Sequence, residues 1–266
     1  FTGYASFDLL RKLHRQDPLA PEEEAALTRL RARLVRICDC AVDSDAAIYV
    51  DAEESWIQDG IDRLVEELMA RYNREKPVVF NTVQLYRHDR LAFLKAEYER
   101  AQAGGYILGL KLVRGAYMEK ERDRAERKGY ASPIHANKAA VDEDFDAALV
   151  FCLRHINRIA FCAATHNEES CMRVVRTALE YGVDLHHPHI HFAQLYGMSD
   201  HISFNLAEAG FNASKYVPYG PVQDVVPYLI RRAQENRSVS GQIGRELRLI
   251  LDEVKRRDAQ KQISGE

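Results

Sequence analysis

Near the C-terminus, Tyr228, Arg231, Arg232 and Glu235 are spaced three and four residues apart. Side chains at those spacings share one face of a helix. Two guanidiniums, a phenol and a carboxylate are therefore grouped together. Guanidiniums fork onto carboxylates and phosphates, so the group suits an anionic small molecule. A solvated helix face closed by a salt bridge from Glu235 has the same spacing. Ahead of it, Lys215-Tyr216-Val-Pro-Tyr219-Gly-Pro221 reads as a short strand and a turn. Val222, Val225, Val226, Leu229, Ile230 and Ala233 then supply the apolar stripe of a helix.

Four other segments could carry chemistry. In Lys111-Leu-Val-Arg114-Gly115-Ala-Tyr117, alternation along a strand puts Lys111 and Val113 on one face and Leu112 and Arg114 on the other. A lysine inside a sheet is costly unless it meets an anion or polar cofactor atoms. Gly115 lets a backbone approach a ligand closely. Thr165-His166-Asn167 precedes two acids that open a helix. Such a turn presents backbone N–H groups and suits a phosphate, while Asn167 is also a good N-cap. Asp51-Ala-Glu53-Glu54 offers an acid/base pair, metal ligands or hydrogen bonds to a cofactor. His186-His187-Pro-His189-Ile-His191 invites a metal reading, although His189 and His191 alternate with Ile190 and Phe192 as a strand would.

The elements that must position these residues alternate strand with helix. Strands are expected at Ala46–Val50, Val78–Thr82, Ile107–Leu112, Ile159–Ala164, His189–Ala193 and Lys215–Val217, with a stub at Phe1–Gly3. Helices are expected near Ser6–Arg15, Pro21–Asp43, Ser55–Arg74, Arg90–Ala103, Met118–Lys128, Lys138–Arg154, Glu168–Tyr181, Asp200–Glu208 and Val222–Asn236, with a charged helical tail over Gly241–Glu266. That order implies a parallel sheet. Polar groups end nearly every strand: Asp51; Asn81, Thr82 and Gln84; Lys111, Arg114 and Tyr117; Thr165, His166 and Asn167; Gln194; Tyr216 and Tyr219. A site fed by so many strand ends marks a (β/α)8 barrel, whereas an open sheet gathers its ligand at one switch point. About seven strands are countable where a barrel has eight, so a first strand is expected upstream of Phe1.

The chain has 266 residues, 29% charged and 46% hydrophobic, with a net charge of -3. One barrel domain over 1–266 accommodates that length. The charge balance supplies no basic footprint, and no nucleic-acid partner is expected. No apolar run is long enough for a membrane span, and the first residues lack the pattern of a signal peptide. There is no GxGxxG, GxxxxGK or GxSxG. Five scattered cysteines without a CxxC suggest thiols packed as small hydrophobes in a reducing compartment.

Taken in order, Val50-Asp-Ala-Glu-Glu54, Phe80-Asn-Thr-Val-Gln84, Lys111-Leu-Val-Arg-Gly-Ala-Tyr117, Ala164-Thr-His-Asn167, Gln194-Leu-Tyr-Gly-Met198 and Tyr216-Val-Pro-Tyr-Gly-Pro221 followed by Tyr228-Leu-Ile-Arg-Arg232 and Glu235-Asn236 resemble the proline dehydrogenase family. The Tyr216–Pro221 segment is closer in style to the eukaryotic-type single-function enzymes. The resemblance implies an α/β fold, a distorted (β/α)8 TIM-like barrel with its last helix over the strand ends. It implies non-covalent FAD and oxidation of L-proline to Δ1-pyrroline-5-carboxylate, with hydride passing from the ring carbon beside nitrogen to the flavin. A membrane quinone takes the electrons, through peripheral membrane contact. The expected location is the matrix side in mitochondria or the cytoplasmic face of a bacterial inner membrane.

By residue, the resemblance assigns Arg231 and Arg232 to the substrate carboxylate, and Tyr216, Tyr228 and Leu195 to the substrate ring. Lys111, beside the reactive edge of the flavin, and Asp51 are the expected catalytic residues. Gln84 lines the isoalloxazine. Arg114, Thr165, His166 and Asn167 take the phosphates and ribose. Gly115, Tyr117, Gln194 and Glu235 complete the cofactor set. A substrate-contacting lysine and a first-strand acid of the family fall before Phe1. In hydroxyproline dehydrogenases a smaller residue tends to replace Tyr216, so proline is the expected substrate. Two readings of other classes stay open: a metal-dependent barrel hydrolase using Asp51, Glu53 and the His186–His191 cluster, and a catalytically inactive scaffold.

Overall fold

The computed structural model describes residues 1–223, 225–226, 229–230, 251–252 and 254–256. Tyr228, Arg231, Arg232 and Glu235 lie outside the described residues, as does most of the expected Gly241–Glu266 helix.

Among the described residues six strands form one parallel sheet in sequence order: β1 Ile48–Val50, β2 Val79–Gln84, β3 Leu108–Val113, β4 Ile159–Ala164, β5 Ile190–Leu195 and β6 Asn212–Tyr216. Register aligns Thr82, Lys111, Cys162, His191 and Asn212 across neighbouring strands, so this row lies on one face of the sheet. The sheet is strongly curled around that face. Phe80 on β2 and His191 on β5 have ring centroids 6.0 Å apart, whereas three flat strand spacings would separate them by about 14 Å. The concave interior holds Phe80, Ile107 and Ala160 as a small cluster of its own. The convex face carries Val79, Leu108, Leu110, Leu112, Phe161 and Phe192, all buried under the helical layer. The result is a curled half-barrel of α/β type, with six strands among the described residues arranged as in the (β/α)8 barrel that the strand-end pattern led one to expect.

The helices are α1 Phe7–Arg15, α2 Pro21–Asp43, α3 Ser55–Tyr72, α4 Arg90–Gly104, α5 Met118–Lys128, α6 Lys138–Arg154, α7 Glu168–Glu180 and α8 Asp200–Glu208. Pro21 and three glutamates open α2, matching the fixed φ of proline and the positive helix end. Glu23 accepts from the Ala20 N–H at 2.8 Å and from Lys12 at 2.7 Å, which ties α2 to α1. α1 in turn crosses α3 at Gly60, where a Cβ would lie 2.9 Å from the His14 nitrogen.

Two strand expectations need correcting. Phe1–Gly3 is a turn rather than a strand, with the nitrogens of Phe1 and Thr2 held by Glu53. The last strand begins at Asn212 rather than Lys215. Asn212-Ala-Ser has no apolar run to signal a strand, and its place is set by pairing with β5. Of the five free cysteines, Cys38, Cys152, Cys162 and Cys171 are buried as expected, but Cys40 is exposed.

One buried acid makes stability depend on pH. Glu97 on α4 has a side chain only 3% exposed. Its Oε2 has no hydrogen-bond partner, while Arg100 pairs with Oε1. Burial pushes its carboxyl up to about 7, against the opposing pull of Arg100. The folded protein therefore binds this proton more tightly than the unfolded chain. The stabilisation is complete below the ordinary value of 4.5 and is lost as pH rises through about 7. Thermal unfolding should show Tm falling across that window, and Glu97→Gln should flatten the fall and be more stable than wild type at pH 8 by about 1–2 kcal/mol. An unchanged pH profile in the variant would assign the slope elsewhere.

Candidate active site

A cavity of about 1130 Å³ opens at the C-terminal ends of the strands. Every described residue assigned to the site from the sequence lines it: Asp51, Gln84, Lys111, Arg114, Gly115, Tyr117, Thr165, His166, Asn167, Gln194, Leu195 and Tyr216. They come from four strands, β2, β3, β5 and β6, and from the turns that follow β1, β3 and β4. In a parallel barrel this edge is where loop residues converge.

Lys111 stands on the concave face in register with Thr82 and Cys162. Its Nζ meets Asp51 Oδ1 at 2.6 Å. Asp51 remains largely open to solvent, with a side chain 63% exposed, against 19% for Lys111. The pair is thus a charged floor at one end of the cavity, with one member still hydrated. Below Lys111, burial pushes the Cys162 thiol up to about 12, despite the nearby lysine, so it is held as a neutral thiol.

Arg114 departs from the alternation argument. β3 ends at Val113, so Arg114 sits on the turn and is not confined to the convex face. Its Nε donates to Asp142 at 2.7 Å, and its two terminal nitrogens donate to Thr165 Oγ1 and Ser170 Oγ at 3.0 Å each. The guanidinium also lies 4.3 Å from the centre of the Phe145 ring. Three of five N–H donors are committed to the chain, leaving two for a ligand. Burial would raise the Asp142 carboxyl, but hydrogen bonds from Lys138 and Arg114 hold it below its ordinary value.

Gly115 has φ +133°, and an added Cβ would lie 2.5 Å from the Tyr86 ring. The glycine thus serves packing against Tyr86 as well as the cavity wall. Thr165 Oγ1 also accepts from the Asn167 N–H at 3.1 Å, and Asn167 caps α7 by accepting from the Ser170 N–H at 3.1 Å. His166 Nδ1 is 3.0 Å from Ser199 Oγ. The N-terminus of α7 therefore faces the cavity, with capping and ligand-facing roles shared by one turn. Leu195 and Tyr216 are register partners at the ends of β5 and β6.

Some assigned or considered groups are used by the protein itself. Gln194 is buried, donating to the Thr165 carbonyl at 3.1 Å and accepting from Ser203 at 2.8 Å. Asn81 lies on the convex face and donates to Asp62 at 2.9 Å. Glu53 takes the first two backbone nitrogens, and Glu54 pairs with Lys120. The hydrolase set is not assembled. Asp51 lies at the C-terminal edge of the sheet, whereas His186, His187 and His189 precede β5 at the opposite edge. His189 Nδ1 is 2.8 Å from the Ile156 carbonyl, and the His191 ring packs edge-on to Phe80.

Sequence reasoning missed four polar lining residues: Lys138, Glu168, Glu169 and His201. His201 Nε2 meets Glu168 Oε1 at 2.8 Å. Both glutamates were visible as the first turn of α7, and their position immediately after Thr165-His166-Asn167 was the available signal. His201 had none, because it reaches the cavity from α8, the helix that follows β5.

Comparison with known proteins agrees with this geometry. The sequence profile of the proline dehydrogenase family matches residues 5–245. Proline dehydrogenase 1, mitochondrial, from Drosophila melanogaster is 40% identical over 258 residues, covering 93% of this chain and 38% of that protein. A hydroxyproline dehydrogenase from Xenopus laevis is 38% identical over 243 residues, covering 90% of this chain and 52% of that one. The chain thus spans about half, or less, of the length of these relatives. Among solved structures, proline utilization A from Bdellovibrio bacteriovorus inactivated by N-propargylglycine superposes with a TM-score of 0.74 at 25% identity, over 80% of this chain and 22% of that one. With the family profile matching nearly its whole length, the chain belongs to the proline dehydrogenase family.

Proposed function

We propose that this chain is a flavin-dependent catalytic unit that oxidises L-proline to Δ1-pyrroline-5-carboxylate, with FAD held non-covalently in the strand-end cavity. The observation that carries the reading is the convergence of twelve family-matched residues on one cavity. At about 1130 Å³ the space exceeds an ordinary small-ligand pocket, as a dinucleotide requires. Its polar groups fit as well. Two free donors of Arg114 and the N-terminal turn of α7 suit a pyrophosphate. Lys111 and Gln84 suit the polar edge of a flavin ring, and Glu168 suits ribose hydroxyls.

When bound, the flavin would supply the two-electron acceptor that no side chain provides. The chain's own task is orientation and electrostatics. Lys111 holds a positive charge at the reacting end, kept in place by Asp51. Leu195 and Tyr216 wall the substrate ring, and Tyr228 is assigned beside them. Arg231 and Arg232 hold the substrate carboxylate, and Glu235 joins the cofactor set, on the sequence argument alone. Oxidation removes one hydride equivalent from carbon and one proton from the amine. Solvent takes that proton, since no side chain here is assigned as its base.

The proposal extends to a membrane quinone as electron acceptor, reached by peripheral membrane contact. Among the described residues no helix is long and apolar enough to cross a membrane. The Drosophila melanogaster relative is named mitochondrial. By the same reading this chain works on the matrix side in a eukaryote, or on the cytoplasmic face of the inner membrane in a bacterium.

Purified protein reconstituted with FAD should show a flavin band that bleaches when L-proline is added without oxygen. 4-Hydroxyproline should bleach it far more slowly, because Tyr216 occupies the space its hydroxyl needs. Protein that takes up no FAD, or whose flavin L-proline leaves oxidised, would sink the proposal. Faster bleaching by hydroxyproline would move the assignment to the sister activity.

A further inference from the structure

A line of buried polar groups runs from the helical layer into the cavity wall. Arg90 donates to Asp62 Oδ2 at 2.6 Å, and the Asp62 side chain is 4% exposed. Asp62 Oδ1 accepts from Gln58 Nε2 at 2.8 Å. Gln58 Oε1 accepts from the Glu53 N–H at 2.7 Å. On the other side of the same residue, the Glu53 carbonyl accepts from Gln84 Nε2 at 2.8 Å. Gln58 and Gln84 are both buried, and Gln84 lines the cavity.

The polarity of this line is dictated by chemistry. A backbone N–H can only donate, so Gln58 must turn its oxygen to Glu53. Its nitrogen then needs an acceptor, and the Asp62 carboxylate is one. A backbone carbonyl can only accept, so Gln84 must turn its nitrogen to Glu53. Gln84 then keeps its carbonyl oxygen, beside the second hydrogen of its nitrogen, to offer a ligand. Reversing either amide would place like against like in a buried site and leave both groups unpaired.

We propose that Gln58, oriented by Asp62, is a positioning residue for the cavity: through the Glu53 backbone it fixes the Gln84 amide so that Gln84 presents an acceptor to a donor group on the ligand. The proposal rests on the reading that the ligand is FAD, whose ring carries such an N–H. Gln58 touches nothing in the cavity and acts through Gln84. The same grip on Glu53 steadies Asp51, two residues before it, against Lys111.

The test compares Gln58→Met, Gln84→Leu, the double variant and Ile61→Val, a buried control on the same helix. FAD affinity is measured by equilibrium titration, together with the visible spectrum of the bound flavin and the Tm. Gln58→Met should weaken FAD binding about tenfold and shift the flavin band, while Ile61→Val leaves both within about twofold at a comparable loss of Tm. The double variant should bind FAD no more weakly than Gln84→Leu alone, because the two residues act in series. If Gln58→Met does not fold, Asp62→Asn is read the same way. Gln58→Met matching Ile61→Val, or effects of Gln58 and Gln84 that multiply, would overturn the positioning role while leaving the flavin reading intact. A wild-type protein that takes up no FAD overturns both.

Discussion

Arg114→Met should raise the dissociation constant for FAD by about 100-fold or more, and it should do so for two reasons that add. The first is direct: two guanidinium N–H donors facing the cavity disappear. The second is structural. Arg114 holds Thr165 and Ser170 through its terminal nitrogens and Asp142 through Nε. Those contacts set the turn between β4 and α7, where Thr165 and Asn167 organise the backbone nitrogens. A hydrogen bond to a charged group contributes about 1.5–3 kcal/mol, so losing this set should also lower Tm by several degrees. Arg114→Lys separates the two effects. It keeps the charge but cannot reach three partners in a plane, so FAD binding should be intermediate while Tm stays low. Titration with FAD and thermal unfolding of the apoprotein measure the two independently. FAD affinity unchanged in Arg114→Met would remove this turn from the cofactor site.

Lys111→Met should lower kcat/KM for proline by about 100-fold or more, with little effect on folding. The reason for the small structural cost is the asymmetry of the pair. Asp51 is mostly hydrated, so removing Lys111 strands no buried carboxylate. Methionine fills the same stem volume on the concave face. The functional loss is large because the lysine's charge lies inside a walled cavity, where it is screened less than on a surface. Steady-state kinetics should show most of the loss in kcat, with FAD still bound. Lys111→Arg, restoring the charge on a longer fork, should recover part of the activity. A Lys111→Met enzyme with wild-type kcat would exclude the lysine from the reacting end. If Tm falls as far as activity does, its role is structural instead.

The repeating strand–helix order was legible because each strand on the convex side reads as an apolar run, as at Ile159–Ala164 or Leu108–Val113. The candidate site was legible through the polar residues that interrupt those runs at or just past their C-terminal ends, and all of those named except Asn81 and Tyr219 line one cavity. Asn212–Tyr216 was misplaced because its alternation is polar on both faces and only its pairing with β5 makes it a strand. Asn81 was counted with Thr82 and Gln84 among the polar groups that end a strand, yet strand pleat sends it the opposite way, to Asp62. Gln194, assigned to the cofactor set by the resemblance, lines the cavity, and its amide also joins Thr165 to α8. Alternation put Arg114 on the face opposite Lys111, but β3 ends at Val113, so Arg114 sits on the turn where it lines the cavity.

By itself the sequence determined the secondary elements, the family and the types of residue available at each strand end. These are local properties, written in apolar periodicity and in short motifs. Only the tertiary structure decided which of those residues meet. Lys111 finds Asp51 across 60 positions and Arg114 finds Ser170 across 56, because parallel pairing stacks strand ends that are far apart in the chain. The tertiary structure also decided direction. Whether Gln84 offers the cavity a donor or an acceptor depends on the Glu53 carbonyl and, behind it, on Gln58 and Asp62. No spacing rule contains that information, because an amide's orientation is set by whichever obligate donor or acceptor the fold places against it.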